Sequence, residues 1–380
     1  MPSSLAHQGS YVRKSAQAPK VPLYLLSRSM AIEVLIVGAG AVGAFYGSRL
    51  AQVASTRVSV LCRSNYKAVH VNGFSVTSPQ YGSYNFKPFR VFASPEEARK
   101  SQVDWDYLVV STKALPDVTD DSEMVEGLVR EKSSIVLVQN GLGVEDPYAK
   151  RFPEADILSA VTIVSAAQPS HGVIKHNRWT RISIGPYLPH LDTATSKPID
   201  TARKTKDERA IARNEQLVDL LKQGGVKDAE AYDHSKLQLV RWHKLAINAS
   251  MNPSAVLSGG ATNYEMSHDP ELYAHLHGVM TEILTTAPRV LGKPFPKEFA
   301  SADKILGSTK KNTTGSKPSM LIDWESQPPK RLELEVILGN PVRIARERGF
   351  EMPRCQTLYA LLRMAQEKRE KATETEKSKL

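Results

Sequence analysis

The chain has 380 residues, more than one ordinary domain contains, and its hydrophobic fraction of 41% is sufficient for two buried cores. No apolar run reaches the ~18–20 residues of a membrane helix, so we expect no membrane span. The net charge of +10 is spread along the chain without a basic helix, which argues against nucleic-acid binding and is compatible with anionic small-molecule ligands. Cys62 and Cys355 lack metal or redox spacing, so we expect no metal site and a reducing compartment.

Residues 1–30 contain four Lys and Arg residues and several serines but no acid. We expect them to form a disordered extension of a cytoplasmic protein, and a mitochondrial presequence is the alternative. The first domain is predicted to begin near Ala31.

The first predicted strand runs into a glycine-rich turn, in the segment VLIVGAGAVGAFYG. Gly38 allows a tight turn, Gly40 lets the backbone approach a pyrophosphate, and Gly43 allows the next helix to pack close to the sheet. The pattern lies between a strand at Ile32–Val37 and an amphipathic helix over Val42–Val53, whose N-terminus attracts phosphate. We predict a dinucleotide site here, with a structural glycine turn as the alternative. The residues of the predicted dinucleotide site are Gly38, Ala39, Gly40, Ala41, Val42 and Gly43.

The second predicted strand, Arg57–Cys62, ends at Arg63, where dinucleotide-binding domains have the residue that meets the adenosine ribose. A carboxylate at this position accepts from the 2′-hydroxyl of NADH, whereas a guanidinium pairs with the 2′-phosphate of NADPH. The sequence therefore predicts NADPH as the cofactor. A solvated loop arginine is the alternative.

Polar residues follow the next two predicted strands. Tyr107–Ser111 runs into Lys113, and Ile135–Gln139 runs into Asn140. Because ligands of parallel sheets bind at the carboxyl ends of strands, we expect both side chains beside the cofactor and Asn140 beside the substrate as well. Ordinary loop chemistry is the alternative for each residue alone.

Further strands are predicted at Leu158–Ala166 and Arg181–Ile184, and helical periodicity dominates the second half. The predicted helices are Glu215–Gln223, Tyr232–Met251, Pro270–Leu291 and Pro329–Arg348. These elements predict an α/β fold, in which an N-terminal Rossmann-type parallel-sheet domain is followed by an all-helical C-terminal domain. The predicted divisions are a sheet domain at 31–190, a polar linker or insertion at 191–214, a helical domain at 215–366 and a charged tail at 367–380.

The most specific string of the helical half is RWHKLAINASMNPSAVL, in which Lys244, Asn248 and Asn252 recur every four residues. This spacing places the three polar side chains on one face of a helix. Partial desolvation would lower the pKa of Lys244 and allow it to protonate a developing alkoxide, so we predict that it is a general acid. A surface lysine that extends to solvent is the alternative.

Two later segments add polar groups. In RLELEVI, Glu333 and Glu335 alternate with apolar residues, and a carboxylate there would orient Lys244 or bind a substrate hydroxyl. A salt-bridged, exposed helix is the alternative. In KPSM, Ser319 offers a hydroxyl group to a substrate carboxylate.

Together, the glycine pattern, the lysine after the third core strand, the Asn-Gly turn, the W-x-K-L-x-x-N-x-x-x-N-P helix and the late S-M…E-[LI]-[DE] segment resemble the ketopantoate reductase (2-dehydropantoate 2-reductase) family. The motifs match in order from about Ile32 to Ala365. The resemblance implies a Rossmann domain that binds NADPH and a C-terminal domain like that of 6-phosphogluconate dehydrogenase. The polar insertion and both terminal extensions are typical of a fungal member.

The resemblance also implies roles for the cofactor residues. The glycines would hold the pyrophosphate, and Arg63 would meet the 2′-phosphate. Lys113 would contact the cofactor, and Asn140 would lie near the nicotinamide ribose.

For the substrate, the resemblance implies that Lys244 is the general acid, that Ser319 holds the carboxylate and that Glu333 is tied to the lysine and the substrate. The substrate-pocket amides would be Asn248, Asn252 and Asn263.

These roles imply NADPH-dependent reduction of 2-dehydropantoate to (R)-pantoate, in pantothenate and coenzyme A biosynthesis. One alternative is a related NADP-dependent 2-oxo acid or hydroxyacid oxidoreductase of secondary metabolism. Another is a non-catalytic NADP(H)-binding redox sensor. The expected partner is a small 2-oxo acid, and we consider a homodimer.

Overall fold

The computed structural model describes residues 31–191 and 200–377, so the predicted N-terminal extension lies outside the described residues. Within these ranges, ten strands form one sheet. The strands are β1 (Ile32–Val37), β2 (Thr56–Leu61), β3 (Phe74–Ser78), β4 (Gly82–Phe86), β5 (Val91–Phe92), β6 (Tyr107–Val110), β7 (Ser134–Leu137), β8 (Asp156–Ser170), β9 (Val173–Pro186) and β10 (Ala229–Ala231).

Helices pack on both faces of the sheet, and the chain after β10 consists of helices and loops. They are α1 (Ala41–Leu50), α2 (Tyr66–Asn72), α3 (Pro95–Lys100), α4 (Asp146–Arg151), α5 (Thr201–Gln223), α6 (His234–Leu257), α7 (Asn263–His268), α8 (Pro270–Leu291), α9 (Ala302–Lys310), α10 (Ser319–Glu325), α11 (Asn340–Glu347) and α12 (Pro353–Lys377). Short 3-10 turns cover Asp121–Val125 and Pro189–Leu191, and a π-helical turn covers Glu335–Gly339.

The parallel part of the sheet has the order β5-β2-β1-β6-β7-β8. The strand order reverses at β1, which pairs in parallel with β2 on one side and with β6 on the other. In sheets of this kind the ligand crevice opens beyond the carboxyl ends of the strands at the reversal. The long β9 extends the sheet antiparallel to β8. This arrangement confirms the predicted Rossmann-type domain.

The core strands are short and apolar because both faces of the sheet are covered. All four residues of β6 and all four residues of β7 are buried. The helices α1 and α5 pack on one face of the sheet, whereas α3, α4 and the 3-10 turn at Asp121–Val125 pack on the other. Continuous apolar strands are expected where water reaches neither face.

The helices from α6 onward share one hydrophobic core, which confirms the predicted helical C-terminal domain. Three residues of the sheet domain, Ala114, Leu142 and Val144, are buried in this core. They follow β6 and β7, so the loops at the carboxyl edge of the sheet contact the helical domain directly. Across the described ranges, no helix is both long and apolar enough to cross a membrane.

The prediction of a polar linker at 191–214 is wrong for its second half, which belongs to α5. Ala210 and Asn214 are buried, and Arg209 forms an ion pair with Asp156 of β8. The charged residues that indicated a linker therefore belong to an amphipathic helix packed on the sheet. Most of the first half of the segment lies outside the described residues.

Two predicted boundaries also differ. After α5, β10 pairs with β9, so the sheet domain continues to Ala231 and the helical domain begins at α6 instead of residue 215. The predicted charged tail from 367 begins as a continuation of α12. Arg369 lies 3.7 Å over the Trp324 ring and donates to the Trp324 carbonyl at 3.1 Å, which holds this part of the helix against α10.

Candidate active site

The glycine turn between β1 and α1 is shaped by the end of β6. Gly38 has φ +93°, and a Cβ there would lie 2.7 Å from the Thr112 side chain. A Cβ on Gly43 would collide with the Ser111 hydroxyl and with the Gly38 carbonyl. Around Gly40, by contrast, a Cβ would meet no atom within 4 Å. Two glycines are thus required by packing, whereas Gly40 borders open space at the crevice.

The N-terminus of α1 opens into the same space. No side chain caps this helix, and its first turn contains no acid. Helix N-termini of this kind provide N–H donors and a positive dipole end to phosphate groups. The turn and the helix together fit the pyrophosphate of a dinucleotide, since they combine room for the ligand with donors and no competing negative charge.

Arg63 follows β2 and is exposed at the edge of the crevice. Its Nη2 donates to Met124 Sδ at 2.9 Å, in the 3-10 turn that follows β6. Within the described chain, no carboxylate forms an ion pair with this guanidinium. Its charge can therefore meet a phosphate on an adenosine ribose that follows the Rossmann pattern.

Lys113 follows β6 and faces two carboxylates of the helical domain. Its ammonium forms an ion pair with Asp323 of α10, which is largely buried. Its positive charge also lowers the pKa of Glu333, opposing the larger effect of burial. Lys113 thus links the carboxyl edge of the sheet to the helical domain.

The central contact of the site joins Lys244 of α6 to Asn140, in the turn after β7. Lys244 Nζ donates to Asn140 Oδ1 at 2.8 Å. Burial and, to a smaller extent, the positive charge of Arg241 lower the pKa of Lys244, the negative charge of Glu333 opposes both, and the resulting pKa is about 8. Lys244 therefore has a pKa close to neutrality and lies at the junction of the two domains.

Glu333 lies next to this contact, just before the π-helical turn. Its side chain is 9% exposed, and its Oε1 accepts the Ala114 N–H at 3.3 Å. Burial raises the pKa of Glu333, while a hydrogen bond from Asn140 acts in the opposite direction. Asn140 thus contacts both ionisable groups, Lys244 and Glu333.

Asn252 and Ser319 meet two helical turns further along α6. Asn252 Oδ1 accepts the Ser319 hydroxyl and the Met320 N–H, both at 3.2 Å, so it holds the first turn of α10. Asn248 lies between Lys244 and Asn252 along the helix and is half-buried. Polar groups therefore follow the same side of α6 as the lysine.

Asn263 begins α7, beyond the end of α6. Its backbone N–H donates to the Ser316 carbonyl at 3.3 Å, on the segment that leads into α10. Its Oδ1 is buried and has no hydrogen-bond partner among the described residues. An unpaired buried acceptor favours a donor group of a ligand at this position.

One predicted residue environment differs from the expectation, and one residue of the site was not predicted. Glu335 lies in the π-helical turn instead of a regular helix and pairs with Arg343 and Tyr359. Asp323, which the sequence reasoning missed, is four residues after Ser319 and therefore one turn along α10. That spacing was the available signal, but it identifies Asp323 only once Ser319 is placed in a site.

Arg241 was also missed, although it lies in the same string as Lys244. It is buried three residues before the lysine and pairs with Glu145 at 3.3 Å. A single arginine in an amphipathic helix is ordinarily a surface residue. Nothing in the sequence pattern distinguishes this one as buried.

Two family models match the chain. "Ketopantoate reductase PanE/ApbA" matches residues 34–189, and "Ketopantoate reductase PanE/ApbA C terminal" matches residues 236–366. The first match lies within the sheet domain and ends before α5 and β10, and the second covers the helical domain from α6 into α12.

Similar proteins cover nearly the whole chain. An uncharacterized protein of Saccharomyces cerevisiae is 28% identical, with 88% of this chain and 94% of that protein aligned. A 2-dehydropantoate 2-reductase of Nostoc sp. is 26% identical, with 86% and 93% aligned. The crystal structure of 2-dehydropantoate 2-reductase from Methylococcus capsulatus superposes with a TM-score of 0.72 at 27% identity, over 89% of this chain and 97% of that one.

Proposed function

Because the chain belongs to the ketopantoate reductase family, we propose that it reduces 2-dehydropantoate to (R)-pantoate with NADPH, in pantothenate and coenzyme A biosynthesis. Members of the family are NAD(P)H-dependent oxidoreductases that act on CH–OH groups. The observation that carries the proposal is the contact of Lys244 Nζ with Asn140 Oδ1 at 2.8 Å, beside Glu333 and at the carboxyl edge of a Rossmann sheet.

In this proposal Lys244 donates a proton to the keto oxygen as that oxygen becomes an alcohol. A bound NADPH would supply the hydride. A pKa of about 8 keeps the lysine protonated at pH 7 yet allows it to release the proton readily. Asn140 holds the ammonium in place by its 2.8 Å hydrogen bond.

The remaining polar groups would bind the substrate. Ser319 donates its hydroxyl to Asn252 Oδ1 at 3.2 Å in the free site, and it would turn that hydroxyl to the substrate carboxylate when the acid binds. Glu333 would accept from a substrate hydroxyl while its charge stabilises the Lys244 ammonium. Asn248 and Asn263 would add amide contacts, the latter through its unpaired Oδ1.

The preference for NADPH over NADH is proposed from Arg63. Arg63 follows β2, is exposed and has a soft sulfur contact that a phosphate can replace. Lys113, at the end of β6, would contact the cofactor and does not bear on this preference, because its ammonium pairs with Asp323. A cytoplasmic location and a homodimer remain parts of the same proposal.

A related oxidoreductase with another 2-oxo acid substrate is the second candidate. The identity to the uncharacterized yeast protein is no lower than that to the Nostoc reductase, so the similarities are compatible with either acid. The cofactor turn and Lys244 would serve both reactions, because the rest of the acid would be contacted by other groups, namely Ser319, Glu333, Asn248 and Asn263.

Steady-state assays with NADPH and NADH against ketopantoate and a panel of other 2-oxo acids test the proposal. We expect ketopantoate with NADPH to have the highest kcat/KM. A higher kcat/KM for another 2-oxo acid favours the second candidate, and growth of a pantothenate-requiring strain carrying this chain separates the two in cells. An absence of NADPH consumption with every acid would contradict both and favour a redox sensor.

A further inference from the structure

A buried ion pair lies behind Lys244. Arg241 of α6 and Glu145, which precedes α4, each expose only 3% of their side chains, and Arg241 Nε lies 3.3 Å from Glu145 Oε1. Burying two charges is costly, and replacing such a pair with apolar residues is often neutral or stabilising. Stability alone therefore does not account for a charged pair at this position.

The Arg241 guanidinium forms hydrogen bonds with the turn that contains Asn140. Its Nη1 donates to the Gln139 carbonyl at 3.1 Å and to the Gly141 carbonyl at 2.9 Å. These are the residues immediately before and after Asn140. Hydrogen bonds on both sides restrict the backbone of Asn140, and thus the direction of its side chain.

Glu145 and Ser159 hold the guanidinium in this orientation. Arg241 Nη2 donates to the Ser159 hydroxyl, and that hydroxyl donates to Glu145 Oε1. The carboxylate therefore contacts the guanidinium directly and through a side chain of β8. An arginine fork suits this task because its donors are fixed in one plane.

The opposite side of the turn is held by the helical domain as well. The Leu142 N–H donates to the Val336 carbonyl at 2.8 Å, and Asn340 Nδ2 donates to the Leu142 carbonyl at 2.7 Å. Gly141 has φ +87°, and a Cβ there would lie 2.5 Å from Val336 Cβ. The turn therefore has little room to move.

We propose that Arg241 is a positioning residue that sets the distance between Lys244 and Asn140. Arg241 and Lys244 are three residues apart on one face of α6, so the helix that carries the lysine also holds the turn that carries its partner. Glu145 acts through Arg241. The proposal rests on the proposed role of Lys244 in proton transfer.

Arg241 acts on Lys244 by its charge as well. The charged groups that face Lys244 are Arg241 on α6 and Glu333 on the segment before the π-helical turn, and Asn140 contributes a neutral amide. Lys113 and Asp323 act in turn on Glu333: the lysine lowers its pKa and the aspartate raises it. Removing the Arg241 charge will therefore raise the pKa of Lys244, whereas a lysine at position 241 will preserve it.

Three variants separate these effects. Arg241→Met removes the fork and the charge, and Arg241→Lys removes the fork but keeps the charge. Arg209→Met is the matched control, because Arg209 pairs with buried Asp156 at a distance from the Asn140 turn. For each variant, kcat and KM for the keto acid, the Kd for NADPH and the melting temperature are measured. The pKa of Lys244 is obtained from pH-dependent amine labelling read by mass spectrometry.

We expect both Arg241 variants to lower kcat by about 10–100-fold, as small misplacements of catalytic groups do. We expect the Kd for NADPH to stay near the wild-type value. The pKa of Lys244 should rise in Arg241→Met and stay unchanged in Arg241→Lys. Arg209→Met should affect only the melting temperature.

A wild-type kcat in Arg241→Lys would overturn the proposal, even if Arg241→Met fails to fold. A loss of kcat in Arg209→Met equal to that in the Arg241 variants would overturn it as well. Labelling needs no substrate, so its outcome is independent of the reaction. If the wild-type protein reduces no 2-oxo acid but the pKa of Lys244 rises in Arg241→Met as expected, the proposed function is contradicted and the inference is retained. A Lys244 pKa that is the same in all variants would overturn the inference.

Discussion

Lys244 and Asn140 are 104 residues apart in the chain, and their side chains meet at 2.8 Å. One belongs to a helix of the C-terminal domain, and the other follows a buried strand of the Rossmann sheet. The contact exists only when the two domains are packed together. It places a lysine of lowered pKa where a ligand in the crevice of the sheet can reach it.

The first prediction concerns pH. A lysine that acts as a general acid must be protonated, and burial lowers the pKa of Lys244 to about 8. We therefore expect kcat to be constant below that pH and to fall tenfold per pH unit above it, in a profile measured with saturating NADPH and keto acid. A rate that increases through pH 8 would contradict the assignment, since it would require a deprotonated lysine.

The second prediction concerns Asn140→Asp. A carboxylate 2.8 Å from Lys244 Nζ stabilises the ammonium, so the alkaline limb of the pH profile should move to higher pH. Asn177→Asp, at an exposed position of β9, adds the same charge away from the site and should leave the limb in place. An unshifted limb in Asn140→Asp would show that another group limits the rate.

Several parts of the site were predictable from the sequence because they depend on local spacing. The glycine turn, Arg63 after β2 and the Lys244–Asn252 stripe follow from the positions of strands and from helical periodicity. Asp323 and Arg241 were not predictable, because their importance depends on which residue of the other domain each one meets. The segment that forms α5 was misjudged for a related reason: its few apolar residues form a buried face only when the helix packs on the sheet and on α1.

The third prediction concerns Arg63→Ala. Loss of a charge-assisted hydrogen bond to the 2′-phosphate should raise the KM for NADPH by about 10–100-fold and leave the KM for NADH almost unchanged. Arg90→Ala removes a comparable exposed arginine and should change neither value. Equal losses for both nucleotides would remove the argument for NADPH.

The fourth prediction separates two glycines of the cofactor turn. Gly40 borders open space, so Gly40→Ala should keep the wild-type melting temperature while weakening NADPH binding. Gly43→Ala forces a methyl group against Ser111 and should also lower the stability, by about 1–3 kcal/mol as overpacking does. Fluorescence titration and thermal unfolding of both variants check this. Equal melting temperatures for the two variants would contradict the packing argument.

The central claim is that Lys244 donates the proton during reduction. Its most direct test is the single-turnover rate of NADPH oxidation by ketopantoate in Lys244→Ala, beside the wild type and Lys236→Ala, a control on the first turn of the same helix. We predict a loss of about 10²–10⁴-fold in Lys244→Ala, the range for a general acid, and none in the control. A Lys244→Ala rate within about tenfold of the wild type would contradict the account.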